Sequence, residues 1–146
     1  MRISSIALVG VILLPLGGLS YTLGLIGGLV LAMGVRGLLK EEGLKYLEKP
    51  FYLGLTLAIL GGFWARHVLL EEGFDHLRLL LTSLVSGTGL YIQSLCYSAL
   101  ARIRNMEHLE LGGIMLVIGA FTFVFYVGFI PLAIGVLLLA YSFWRW

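Results

Sequence analysis

The stretch ISSIALVGVILLPLGGLSYTLGLIGGLVLAMGV, residues 3–35, contains no Asp, Glu, Lys, Arg or His over 33 residues. A helix rises about 1.5 Å per residue, so one helix of this length would be much longer than the roughly 30 Å hydrocarbon core of a bilayer. The residues near its middle are typical of a break in a helix: Pro15, Gly17, Gly18 and Ser20,. The stretch therefore predicts two membrane segments, at about 3–19 and 21–39, which fold back on each other.

The rest of the chain has the same organisation. A second uncharged run of 34 residues, 111–144, is interrupted by Gly128 and Pro131, and it predicts another pair of segments. Two further apolar stretches are each long enough to cross a bilayer with some tilt. The predicted segments after the first pair are 51–70, 77–101, 108–127 and 129–146. The sequence thus predicts an all-α fold, a single transmembrane domain over residues 1–146 with about six segments in three hairpins.

The composition also indicates a membrane protein. Hydrophobic residues make up 60% of the chain and charged residues 12%, with a mean hydropathy of +1.01. Average globular proteins are about 45–50% apolar and about 25% charged, so a soluble domain is excluded. The net charge of +2 is not a nucleic-acid signal, and the single cysteine, Cys96, excludes an internal disulfide.

The basic residues predict the orientation in the cell membrane. Eight of the ten fall on the side where the chain begins: Arg2, Arg36, Lys40, Lys45, Lys49, Arg102, Arg104 and Arg145. Arg66 and Arg78 fall on the other side. By the positive-inside rule, both termini are expected in the cytoplasm. The first and last hairpins could cross fully or enter and return as re-entrant pairs, and we favour full but thin crossings because irregular backbone exposed to lipid is costly.

Small residues recur at helical spacing on the second and third segments. They form two stripes: Gly24, Gly28 and Ala32, and Gly54, Ala58 and Gly62. Such stripes allow helix backbones to approach closely in lipid. They predict helix-packing interfaces, either within this chain or with another subunit.

The fourth segment is the most polar and is expected inside the bundle. Its candidate residues for a polar core or a pore lining are Ser83, Ser86, Gln93 and Ser94. Hydroxyl groups of this kind can instead bond back to their own helix, while an amide bonds to a neighbouring helix.

The outward loop contains a weak candidate for a metal site. Nitrogen and oxygen ligands would come from His67, Glu71, Asp75 and His76,. The alternative is a solvated loop with charges at helix ends.

No ionisable residue falls in the middle of a predicted segment. A titrating group at mid-membrane is the usual sign of a proton pump or ion-coupled transporter. The segments also lack a Ser/His, Cys/His or paired-Asp constellation,. We therefore expect a protein that is not an enzyme and holds no cofactor, with the lipid bilayer and other membrane subunits or copies of itself as partners and no nucleic acid.

Several stretches resemble a prokaryotic, largely archaeal family of membrane proteins called domain of unknown function 996. They are YSALAR (97–102), LGGIMLVIGA (111–120), VGFIPLAIGVLLLAYSF (127–143), LVGVIL (8–13) and GLIGGLVL (24–31). The resemblance covers about two-thirds of the chain. It implies a multi-pass membrane protein and brings no catalytic residues.

Three functions remain open at this point. The first is a non-catalytic accessory or scaffold subunit of a larger membrane complex, such as a respiratory or transport complex. The second is a homo-oligomeric pore or facilitator for a small solute or ion, lined by the polar fourth segment. A weaker third is a metal-sensing protein that uses His67 and His76.

Overall fold

The computed structural model describes residues 2–70, 75–125 and 127–146. Within these residues every regular element is helical, which confirms the predicted all-α fold. The helices are α1 (Ile3–Leu13), α2 (Tyr21–Glu41), α3 (Glu48–Leu70), α4 (His76–Arg104), α5 (Glu107–Thr122) and α6 (Phe129–Arg145). Short 3-10 helices cover Leu14–Gly18, Lys45–Leu47 and Phe123–Phe125. In this part of the chain, three helices are long and apolar enough to cross a membrane: Tyr21–Glu41, Lys45–Leu70 and His76–Arg104.

The first helix differs from the single helix predicted over 3–19. It is α-helical only to Leu13 and continues as a 3-10 helix over Leu14–Gly18. Pro15 lies in the first turn of this 3-10 helix, and its missing N–H and its ring are incompatible with an unbroken α-helix. Because a 3-10 helix rises about 2.0 Å per residue, the two elements together reach about 27 Å.

Local sequence features also explain why α2, α3 and α4 begin or end at other residues than predicted. α3 begins three residues before the predicted 51, with Pro50 in its first turn, where proline is tolerated. α2 and α4 run past the predicted 39 and 101. The turns that end them contain a residue with positive φ, Gly43 (φ 72°) or Asn105 (φ 53°). In both turns, the next N–H bonds back to a carbonyl five residues earlier, as in a Schellman motif,.

Consecutive helices run antiparallel and touch through glycines. Along α1 and α2, Gly34 lies against Ala7 and Gly10 against Leu31, so the contacting positions run in opposite directions. In the same way, α3 meets α4 and α5 meets α6. α4 also packs against α5, and contacts of α1 with α6 and of α2 with α3 close the ring of six helices.

A smaller buried cluster around Ala65 and Leu79 lies towards one end of the six-helix bundle, and the main hydrophobic core fills the other end. Its largest buried side chains include Phe51, Tyr97 and Phe143, whose rings stack edge to face. At the adjacent end of the bundle, a surface cleft of about 310 Å³ is lined by Arg2, Leu38, Glu41, Arg104 and Trp146. We call this the terminal end. It also holds the ion pair of Arg104 Nε with Glu42 Oε1 at 2.8 Å.

Candidate functional site

The opposite half of the bundle contains a cleft of about 390 Å³. We call this side the cleft end. The walls come from α3, α4, α5, α6 and the 3-10 helices at Leu14–Gly18 and Phe123–Phe125. Representative lining residues are Gly18, Gly62, Ser86, Ala120 and Phe129. This volume falls in the range of roughly 300–1,000 Å³ that is usual for small-molecule sites.

The cleft exists because the inward face of α3 loses its cover towards the cleft end. Near the terminal end this face is packed: a Cβ on Gly54 would lie 2.7 Å from the carbonyl oxygen of Gly89. Two turns further along, a Cβ on Gly62 would meet no atom within 4 Å. Ala58 and Ala65 border the same space, and their small side chains do not fill it. The cleft is therefore an open continuation of the hydrophobic core.

Arg66 lies one turn after Gly62 and lines this cleft. Its Nε donates a hydrogen bond to the carbonyl oxygen of Gly18 at 3.1 Å. The guanidinium also lies over the ring of Tyr21, 4.3 Å from its centroid. Among the residues that the structure describes, no carboxylate forms an ion pair with Arg66. Within the described part of the chain, a cation without a paired carboxylate thus lines a largely apolar cleft.

The polar residues predicted on α4 do lie inside the bundle, but they have different surroundings. Ser86 lines the cleft, and its hydroxyl donates to the carbonyl of Thr82 at 2.8 Å. Ser94 donates to the carbonyl of Tyr91 at 2.6 Å. Both hydroxyls are therefore used by the backbone of their own helix, as hydroxyls in membrane helices often are.

Gln93 and Ser83 are buried more deeply. Gln93 is 1% exposed; its Oε1 accepts a hydrogen bond from the Tyr97 hydroxyl at 3.3 Å, while its Nε2 has no partner among the described residues. The Ser83 hydroxyl is likewise buried without a described partner. Leaving a buried polar group unpaired costs free energy, and these two atoms differ from the other polar atoms of α4 discussed above in having no described partner.

The small-residue stripes are used largely within the chain. Gly24 and Gly28 lie against Phe63 and Ile59 of α3. Ala32 packs at the edge of the main core. On the second stripe, Gly54 and Ala58 contact Gly89 of α4, and Gly62 opens onto the cleft. An interface with another subunit through these stripes stays a prediction.

The candidate metal residues do not form a cluster among the described residues. Glu71 lies outside the described residues. The Asp75 carboxylate caps α4, where Oδ1 accepts from the Leu77 N–H at 3.0 Å and Oδ2 lies 3.5 Å from Arg78 Nε. His67 and His76 both have interaction partners. Metal binding by this set stays a prediction.

The cleft itself and the role of Arg66 were not predicted from the sequence. Ala58, Gly62 and Arg66 continue the four-residue spacing of the α3 stripe, which places Arg66 on the same face of α3 but does not show whether that face is covered. Comparison of the chain with protein-family models, curated proteins and solved structures found no match. The resemblance to domain of unknown function 996 stays a prediction.

Proposed function

We propose that this chain is a non-catalytic, multi-pass protein of the cell membrane that serves as an accessory or scaffold subunit of a larger membrane assembly. Respiratory and transport complexes are the assemblies we favour. In this proposal the six helices form three membrane hairpins with both termini in the cytoplasm.

The observation that carries the proposal is the exposure of α3. Only 22% of the residues in its apolar, membrane-length stretch are buried inside the chain. The corresponding share is 44% for α2 and 44% for α4. Leu53, Leu60 and Trp64 are exposed at helical spacing on one face of α3,. Membrane helices are held to their neighbours by close packing. α3 therefore offers a whole face to a helix of another chain.

Site-specific photocrosslinking in native membranes tests the accessory role. A photoreactive residue at Leu60, which is 57% exposed on α3, should give a protein adduct of discrete mass. The matched control is Leu137, which is 68% exposed on α6 and should give lipid adducts. Lipid adducts alone at both positions would contradict a partner on α3.

Cysteine labelling tests the orientation. In a Cys96→Ala background, a cysteine at Tyr46 should react with an impermeant maleimide only after the membrane is opened, whereas one at Leu19 should react in intact cells. Both positions are exposed, at 72% and 77%. The reverse pattern would place the termini outside.

The pore or facilitator is kept as a second candidate because of the unpaired polar atoms on α4. The Nε2 of Gln93 and the hydroxyl of Ser83 have no described partner, and both residues lie on the buried face of α4. Replacing Gln93 with Leu should abolish solute flux into liposomes if this face lines a path, while Ser94→Ala should leave the flux unchanged. Equal flux in wild type and Gln93→Leu would reject the pore.

A further inference from the structure

The cleft is poorly suited to water. Of its lining residues, Arg66 and Ser86 carry polar side chains, and the Ser86 hydroxyl already bonds to Thr82. A buried water needs about two to four polar partners. An apolar cavity of about 150 Å³ has room for several waters, yet it stays dry and binds benzene. An apolar cleft on the surface of a membrane helix bundle is therefore filled by an apolar group.

The size of the cleft, about 390 Å³, suits a hydrocarbon chain. A cavity of about 150 Å³ is known to hold benzene, with its six carbons. By this scale the cleft holds roughly fifteen carbons.

Arg66 indicates that this occupant also carries a negative charge. The Nε of Arg66 donates a hydrogen bond to the Gly18 carbonyl, and the flat face of its guanidinium lies over the Tyr21 ring. These two contacts orient the guanidinium. The two terminal nitrogens have no hydrogen-bond partner among the described residues. A guanidinium with free nitrogens pairs well with a phosphate, which it can bind with two parallel hydrogen bonds. The group that complements this end of the cleft is thus an anion attached to the hydrocarbon chain.

We propose that the cleft binds one phosphate-bearing amphiphile, with its hydrocarbon chain against Gly62, Leu90 and Phe129 and its phosphate on Arg66. A bilayer phospholipid and an isoprenoid phosphate share this chemistry. The proposal rests on insertion in a membrane and is independent of the accessory role, since a missing adduct at Leu60 would leave lipid binding untouched.

Native mass spectrometry of the full chain, purified in mild detergent, tests the site. The wild type should retain one phosphatidylglycerol per protein molecule about tenfold more tightly than a diacylglycerol with the same acyl chains, because the diacylglycerol lacks the phosphate that pairs with the guanidinium. Arg66→Gln should remove this preference, and the control Arg145→Gln, exposed on α6, should retain it. An unchanged preference in Arg66→Gln would overturn the assignment of the phosphate to Arg66.

Binding of the ligand's hydrocarbon chain in the cleft is tested separately. Gly62→Leu should block lipid retention while the thermal unfolding of the protein stays cooperative. Since this variant could fail to fold, a series of alkyl phosphates is measured on the wild type as well. Affinity should rise with chain length and level off at roughly fifteen carbons, and no dependence on chain length would reject the cleft as the binding site. Farnesyl phosphate binding more tightly than phosphatidylglycerol would identify an isoprenoid phosphate as the occupant, and the opposite order a bilayer phospholipid.

Discussion

Replacing Gly10 with alanine tests the packing of α1 on α2, because the two backbones come very close at this residue. A Cβ on Gly10 would lie 2.5 Å from the Cα of Leu31 and 2.7 Å from its Cβ. Two carbon atoms prefer a separation of about 3.5–4.0 Å. The alanine would therefore force the two helices apart by about 1 Å.

The expected effect on stability follows from two opposing contributions. Overpacking of this kind typically costs about 1–3 kcal/mol, whereas exchanging glycine for alanine inside a helix gains about 0.5–1 kcal/mol. Because the clash is with backbone atoms of Leu31, which cannot rotate away, the upper part of the first range applies, and Gly10→Ala should lower the free energy of unfolding by about 1–2.5 kcal/mol. Gly62→Ala is the matched control. Its Cβ meets no atom within 4 Å, so only the gain of about 0.5–1 kcal/mol is expected.

Both variants can be compared by reversible unfolding in mixed micelles, with helix content followed by far-UV circular dichroism as the denaturing detergent is increased. The midpoint should fall for Gly10→Ala and rise for Gly62→Ala. A midpoint for Gly10→Ala equal to or above that of the wild type would refute the close backbone contact between α1 and α2.

Three further measurements address other parts of the fold. Asn105 has a φ of 53°, so Asn105→Ala should cost about 1 kcal/mol while Asn105→Gly stays near wild type in the same unfolding experiment; equal losses would contradict a left-handed turn. Cys96 is fully buried, so a maleimide should label it only after unfolding, and rapid labelling of the folded protein would show that α4 is not packed as described. The pair of Arg104 and Glu42 is partly exposed, so a double-mutant cycle should give a coupling below about 1 kcal/mol that decreases with salt; a larger, salt-independent value would mean that the pair is buried by a partner.

The helices could be predicted from the sequence because the hydrocarbon core excludes charge. The uncharged run 3–35 and its break at Pro15 located two helices, and the four-residue spacing of small residues located faces that pack closely. The burial of Gln93 was also expected, since an amide on an apolar helix is expensive to expose to lipid. These predictions depend on properties of single segments.

The cleft could not be predicted because it depends on how the helices are placed relative to one another. Gly54 and Gly62 belong to one stripe and have the same sequence signature, yet the first touches α4 and the second faces open space. Which outcome applies is decided by the positions of α4, α5 and α6 around α3. Likewise, the hydrogen bond from Arg66 to Gly18 joins residues 48 positions apart, and no local pattern marks it.

The glycine contacts between α1 and α2 bear on the order of events during synthesis. Gly10 meets Leu31, and Gly34 meets Ala7. Both helices of this pair are therefore complete once residue 41, the last residue of α2, has left the ribosome. Chains are made and fold from the amino terminus, and α1 is short and interrupted by Pro15. α1 is therefore expected to enter the bilayer together with α2 rather than alone. A substitution that separates this pair would then act before α3 has been made, and it would lower the yield of inserted protein in addition to the stability of the molecules that do insert.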